Sequence, residues 1–170
     1  MATTRLMPLH IGKGRTVSTA ISKIIDYVEN PQKTDSGKLI TSWQCDSRTA
    51  DAEFTFSKQI YLQKTGRNRG TDDVIAYQIR QSFSPGEITP EEANRLGCEL
   101  ARRFTKSNHA YVVCTHVDKH HIHNHIIWNS TALSHERKFR NFWGSTRAVR
   151  RLNDTICIEN GYSIIENPQQ

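Results

Sequence analysis

Two short apolar runs separated by a polar link constrain this chain more than any other feature. Spans 109–117 and 122–129 each have the length of a strand and are rich in β-branched and aromatic residues, with only Asp118-Lys119-His120-His121 between them. A parallel return needs a dozen or more residues, so such runs must pair as antiparallel neighbours. The remaining segments then have to supply the layers that bury the pair.

Those segments read as strands and helices in alternation. Residues 3–11 form a strand carrying Leu6 and Leu9, and Pro8, which cannot donate to a ladder, marks an edge or a bulge. Ser18 caps a helix that runs to about Glu29. Val17, Ala20, Ile21, Ile24 and Val28 form its apolar stripe, Tyr27 lies on a flank, and Asn30-Pro31 ends it. A strand over 38–45, a helix over 50–63 and a strand over 74–83 follow. Thr89 caps the next helix, with Pro90 at its first position and Glu92 completing a capping box. A final helix over 145–159 stops at Asn160-Gly161, and 162–165 is expected to join the sheet edge as a last strand. The sum is one α+β domain over 1–170, an antiparallel-rich sheet flanked by helices.

Composition narrows the function classes. No stretch approaches the roughly 20 apolar residues of a membrane span, and the N-terminus lacks the pattern of a secretory signal, so cytoplasm is the expected location. Cys45, Cys98, Cys114 and Cys157 form no C-x-x-C pair, which excludes a zinc ribbon or a thioredoxin-type motif. A net charge of +6 favours an anionic partner, most commonly nucleic acid.

Five of the eight histidines lie between positions 116 and 125. In a strand, residues two apart share a face, so His123 and His125 present adjacent imidazoles, and His116 can meet them from the paired strand. Ile122, Ile126 and Ile127 mark that strand as buried, and a shared ion answers the cost of burying imidazoles there. Three protein ligands leave positions open, as in a catalytic rather than a structural site. Asp118, two residues after His116, is placed to orient an imidazole or move a proton, while His120 and His121 belong to the turn. Arg67 and Arg69 occupy a Gly-bounded loop, and Lys138, Arg140, Arg147, Arg150 and Arg151 gather near the last helix with Phe139, Phe142 and Trp143 among them. Cations interleaved with aromatic faces suit single-stranded DNA.

The block His116-x-Asp118-x4-His123-x-His125-x3-Asn129 resembles the third motif of conjugative relaxases, the mobilisation-type members of the HUH endonuclease superfamily found on plasmids and integrative conjugative elements. Gln81-Ser82-Phe83-Ser84-Pro85-Gly86-Glu87 with Thr89-Pro90-Glu91-Glu92-Ala93 is similar to the second motif, and Ile25-Asp26-Tyr27-Val28-Glu29-Asn30-Pro31-x-Lys33-Thr34 to the first. The resemblance implies a relaxase fold and nicking of one DNA strand at a transfer origin. It makes Tyr27 the nucleophile, giving a 5′-phosphotyrosyl link and a free 3′-OH. It further implies phosphate binding by Ser82, help near the metal from Glu87, and support from Asn129. Accessory relaxosome and coupling proteins are the implied partners. Mn²⁺ or Mg²⁺ is the implied activating ion, and three imidazoles would also take Zn²⁺ or Ni²⁺. Such proteins usually continue into further domains, so the chain reads as a catalytic fragment, an expectation that bears on the last residues, 167–170.

Three other readings stay open. A rolling-circle initiator or single-strand transposase would use a downstream tyrosine, here Tyr162. A non-catalytic zinc-stabilised DNA-binding module would show a fourth ligand. A histidine nucleophile would have to be His10, His109 or His135.

Overall fold

The computed structural model describes residues 1–166. Its strands are β1 (Thr3–His10), β2 (Ile40–Trp43), β3 (Val74–Ser82), β4 (Tyr111–His116) and β5 (His123–Asn129). Its helices are α1 (Val17–Val28), α2 (Ala50–Thr65), α3 (Pro90–Phe104) and α4 (Ser145–Glu159). The sheet order is β1-β3-β5-β4-β2, with every neighbouring pair antiparallel. The hairpin foreseen from the two apolar runs is β4–β5, in register from Tyr111↔Trp128 to His116↔His123.

Both strands of that hairpin are buried along their whole length because helices cover both sheet faces. On one face, Ile21, Ile25 and Val28 of α1 and Phe54 of α2 pack on Ile75, Val112, Cys114 and Ile127. On the other, Leu96 and Leu100 of α3 and Val149 and Ile156 of α4 pack on Ile79, Val113, Ile126 and Trp128. Alternate residues of one strand thus serve two cores, which is why the runs read as continuously apolar.

The second face also holds a buried polar layer. Asn124, between the two histidines of β5 but pointing the opposite way, donates to Gln81 Oε1 at 2.8 Å and to the Ala93 carbonyl at 2.7 Å. It accepts from Thr115 Oγ1 at 2.6 Å, and Gln81 donates to Asn153 at 2.6 Å. Buried amides stay only where their bonds are met, and here they tie β3, β4, β5, α3 and α4 together. Gly97 lets α3 close on this layer, since a Cβ there would stand 2.6 Å from Asn124 Nδ2 and 2.8 Å from Val113 Cγ1.

Several boundaries differ from the sequence reading. Thr16, not Ser18, caps α1, in a reciprocal box with Thr19. The second strand is only Ile40–Trp43, because Gln44 takes φ 58° and turns the chain. α2 runs on to Thr65 and ends at Gly66 in the left-handed region. Pro8 does lie on an edge strand, with a register shift at Leu9/His10. Residues 162–165 are not a strand. Gly161 redirects the chain, Tyr162 donates to Glu92 at 3.1 Å, Ser163 donates to Glu87 at 2.6 Å, and Tyr162 and Ile164 pack on the α3/α4 core. Side chains rather than a ladder hold that segment.

Candidate active site

The three histidines converge on the α1/α2 face. His125 stands opposite Cys114 and Arg80, and His116 opposite His123, so β4 and β5 deliver all three rings to one spot. Ring centroids are 4.3 Å apart for His116–His125 and 5.0 Å for each of the other two pairs. One nitrogen from each ring lies within 4.8 Å of the others. All three are buried.

Their hydrogen bonds say which nitrogens are free. His116 Nε2–H donates to the Val28 carbonyl at 2.8 Å, leaving Nδ1 its lone pair. That carbonyl closes α1 and has no partner within the helix. Gln78 Nε2 stands 2.9 Å from His125 Nδ1; turning the carboxamide over puts its oxygen there to accept from Nδ1–H and leaves Nε2 its lone pair. His125 Nε2 and His123 Nδ1 are buried and have no partner. Orphaned nitrogens on converging imidazoles are what a divalent ion satisfies, so the residues fit a metal. Burial comes first in pushing the rings down, to about 4 for His123 and about 3 for His125, and lowers His116 too; Arg80 adds to all three. Unprotonated imidazoles are the form that binds metal.

Tyr27 sits at the mouth. It is 51% exposed, and its ring edge faces His116 and His125 at centroid distances of 6.2 and 6.0 Å. Lys33 lies over the ring at 4.4 Å and donates to the phenol oxygen at 3.4 Å. Sequence reasoning quoted Lys33 without a role; its place six residues after Tyr27, beyond the Asn30-Pro31 break, was the signal. Ser82 stands opposite His123 across β3–β5, on the same face. Asp118 is exposed in the turn, and its charge reaches His116. His121 lies beside His123, centroids 5.4 Å apart, outside the converging group.

Other expected residues are elsewhere. Glu87 does not approach the histidines: it binds the N-terminal amine, the Ser84 amide at 3.2 Å and Ser163 at 2.6 Å, because the turn after β3 folds toward α4. Asn129, four residues beyond His125, accepts from Lys58 Nζ at 2.6 Å and pins the strand end. Burial pushes the Lys58 ammonium down to about 7. Arg147, Arg150 and Arg151 are exposed on α4, which covers the face opposite the histidines. Phe139 packs against Tyr77 and Trp128, while Phe142 and Trp143 are exposed.

The remaining cations line neighbouring clefts that share lining residues. Tyr27 and Arg15 border a cavity of about 280 Å³. Arg15 also borders its neighbour of about 440 Å³, lined by Lys58, Arg67 and Lys138. Arg67 and Lys138 continue into a third of about 830 Å³ with Arg69 and Arg140. Lys138 is paired with Asp73.

A family model described as "Relaxase: MobA/VirD2-like, nuclease domain" matches residues 27–162. A protein named rlx from Staphylococcus aureus is 37% identical over 166 residues, 98% of this chain and 46% of its own length. The group II intron-interrupted relaxase LtrB of Lactococcus lactis subsp. cremoris is 31% identical over 139 residues, 70% of this chain and 24% of that protein. The chain thus spans less than half the length of these curated relatives. The fold matches a solved structure described as the molecular basis of vancomycin resistance transfer in Staphylococcus aureus, with TM-score 0.55, 12% identity and 96% of each chain covered. The motifs, the antiparallel sheet with its histidine face, and a family match over most of the sequence agree: this chain belongs to the MobA/VirD2-like relaxase nuclease-domain family.

Proposed function

We propose that this domain nicks one strand of DNA at a transfer origin by attack of Tyr27, for conjugative transfer. The observation that carries the reading is the half-exposed Tyr27 ring about 6 Å from two of three histidines that each offer a ring nitrogen within 4.8 Å of the others. Oη gives up its proton and bonds to phosphorus, the P–O3′ bond breaks, and the leaving 3′ oxygen takes up a proton, so the step is proton-neutral overall. The linkage retains the phosphodiester energy, so rejoining is the reverse step.

A divalent ion held by His116, His123 and His125, Mn²⁺ or Mg²⁺ in activity, would polarise a non-bridging phosphate oxygen. The chain's own residues do the positioning. Lys33 holds the phenol by its oxygen and its face. Ser82 lines the mouth opposite His123, where a hydroxyl can meet phosphate. Asp118 acts on His116 through its charge. Arg67, Arg69, Lys138 and Arg140 carry the single strand away along the clefts. Action in the cytoplasm, with accessory relaxosome and coupling proteins, completes the proposal; no helix among the described residues is long and apolar enough to cross a membrane.

Two observations weigh against the rivals. The Tyr162 hydroxyl is engaged by Glu92 beside α3, away from the histidines. Among the described residues no fourth His, Cys, Asp or Glu joins the three histidines, as a structural zinc would require.

The test is covalent capture from a 3′-labelled, random-sequence single-stranded pool with Mn²⁺. Wild-type protein retains label through denaturation, and sequencing the captured strands reads the cut site. Tyr27→Phe abolishes capture while Tyr162→Phe leaves it; the reverse result transfers the role to Tyr162.

A further inference from the structure

The sequence reading gave Arg80 no role, yet the fold places it at the histidines. It stands directly opposite His125 across β3–β5, so its side chain leaves the sheet on the same face. Across β3's other edge it stands directly opposite Arg5. Like charges in facing cross-strand positions destabilise a sheet, and no carboxylate pairs with either arginine among the described residues. The Arg80 Nε–H is buried and lacks a hydrogen-bond partner. A guanidinium so placed, beside the converging histidines, without a counter-ion and with an unmet donor, is incomplete until an anion arrives.

We propose that Arg80 binds the scissile phosphate, donating to a non-bridging oxygen beside the ion held by the histidines, with exposed Arg5 next to it for the adjoining phosphate. This deepens the nicking reading and rests on it. A guanidinium suits the task because its planar fork matches two phosphate oxygens and stays charged. Its place on a paired strand rather than a loop holds it rigidly where charge gathers on phosphorus.

The experiment uses the strand that wild-type protein captures from the random pool. A wild type that captures nothing defeats the nicking reading itself; with capture in hand, the Arg80 variants decide the assignment. Arg80→Ala should slow nicking by about 10²–10³-fold, the usual cost of one preorganised donor, while Mn²⁺ affinity and Tm stay near wild type. Arg80→Lys should recover part of the rate. In EDTA, replacing the scissile phosphate with a neutral methylphosphonate should weaken binding to wild type several-fold and leave Arg80→Ala binding unchanged. Nicking by Arg80→Ala at the wild-type rate overturns the assignment. So does methylphosphonate discrimination that persists without the guanidinium, or a nicking loss matched by an equal loss of Mn²⁺ affinity.

Discussion

His123 and His125 were legible at the residue scale because a period of two on an apolar strand fixes which side chains meet, and β4–β5 register carried His116 to them. Arg80 and Lys33 were not, since a lone cation in or beside an element reads as a solvated face until its neighbours are known. The buried imidazoles have a measurable signature. With folded values near 4 and 3 against an ordinary 6.5, the unfolded chain binds protons there as pH falls below 6.5, and the folded chain does not until about pH 4. The metal-free protein therefore loses stability as pH drops from 7 toward 4, and this contribution is flat above about 7. His125→Gln should shallow that slope in urea midpoints taken at several pH values. An unchanged slope would show that His125 is not held neutral.

Elements were read mostly correctly where caps and periodicity agreed. The helix opening at Thr89-Pro90 began where the sequence placed it, with Thr89 accepting from the Glu92 amide, but the capping box is not completed because the Glu92 carboxylate binds Arg95 and Tyr162 instead. The segment after α4 reads as a strand because Tyr162 and Ile164 are apolar at a spacing of two, while hydrogen bonds to Glu92 and Glu87 and packing on the core hold it over α3. The α4 arginines looked like a groove beside the site, but spacing along a helix does not say which sheet face the helix covers. The interlayer contact at Gly97 gives the element-scale prediction. Gly97→Ala forces α3 off Asn124 and Val113 and should cost about 1–3 kcal/mol, typical of overpacking, read as a lower Tm. Since Asn124 backs the strand carrying His123 and His125, Mn²⁺ affinity should fall with it; a variant as stable as wild type would mean the layers are loosely joined.

For the whole molecule, the antiparallel α+β architecture followed from one hairpin and the alternation of elements, whereas the strand order did not. β2 sits at the far edge beside β4, a pairing no local signal announces. Three imidazoles delivered by two central strands would also make a bound ion part of the fold's stability. At about a hundred times its Kd, Mn²⁺ should add about 2.7 kcal/mol, a Tm rise of about 5–10 °C for a chain of this size. EDTA should reverse it and His123→Ala should abolish it; a rise that survives the substitution would put the ion elsewhere. The bond from His116 to the Val28 carbonyl has a wider consequence. Val28 follows Tyr27, so on the proposed reading the helix that carries the attacking phenol is bolted to a ring that would grip the ion. Loading the ion and seating the helix therefore cannot vary independently: whatever frees one loosens the other, and by reciprocity a strand that pulls on Tyr27 is felt as a change in how tightly the ion is kept.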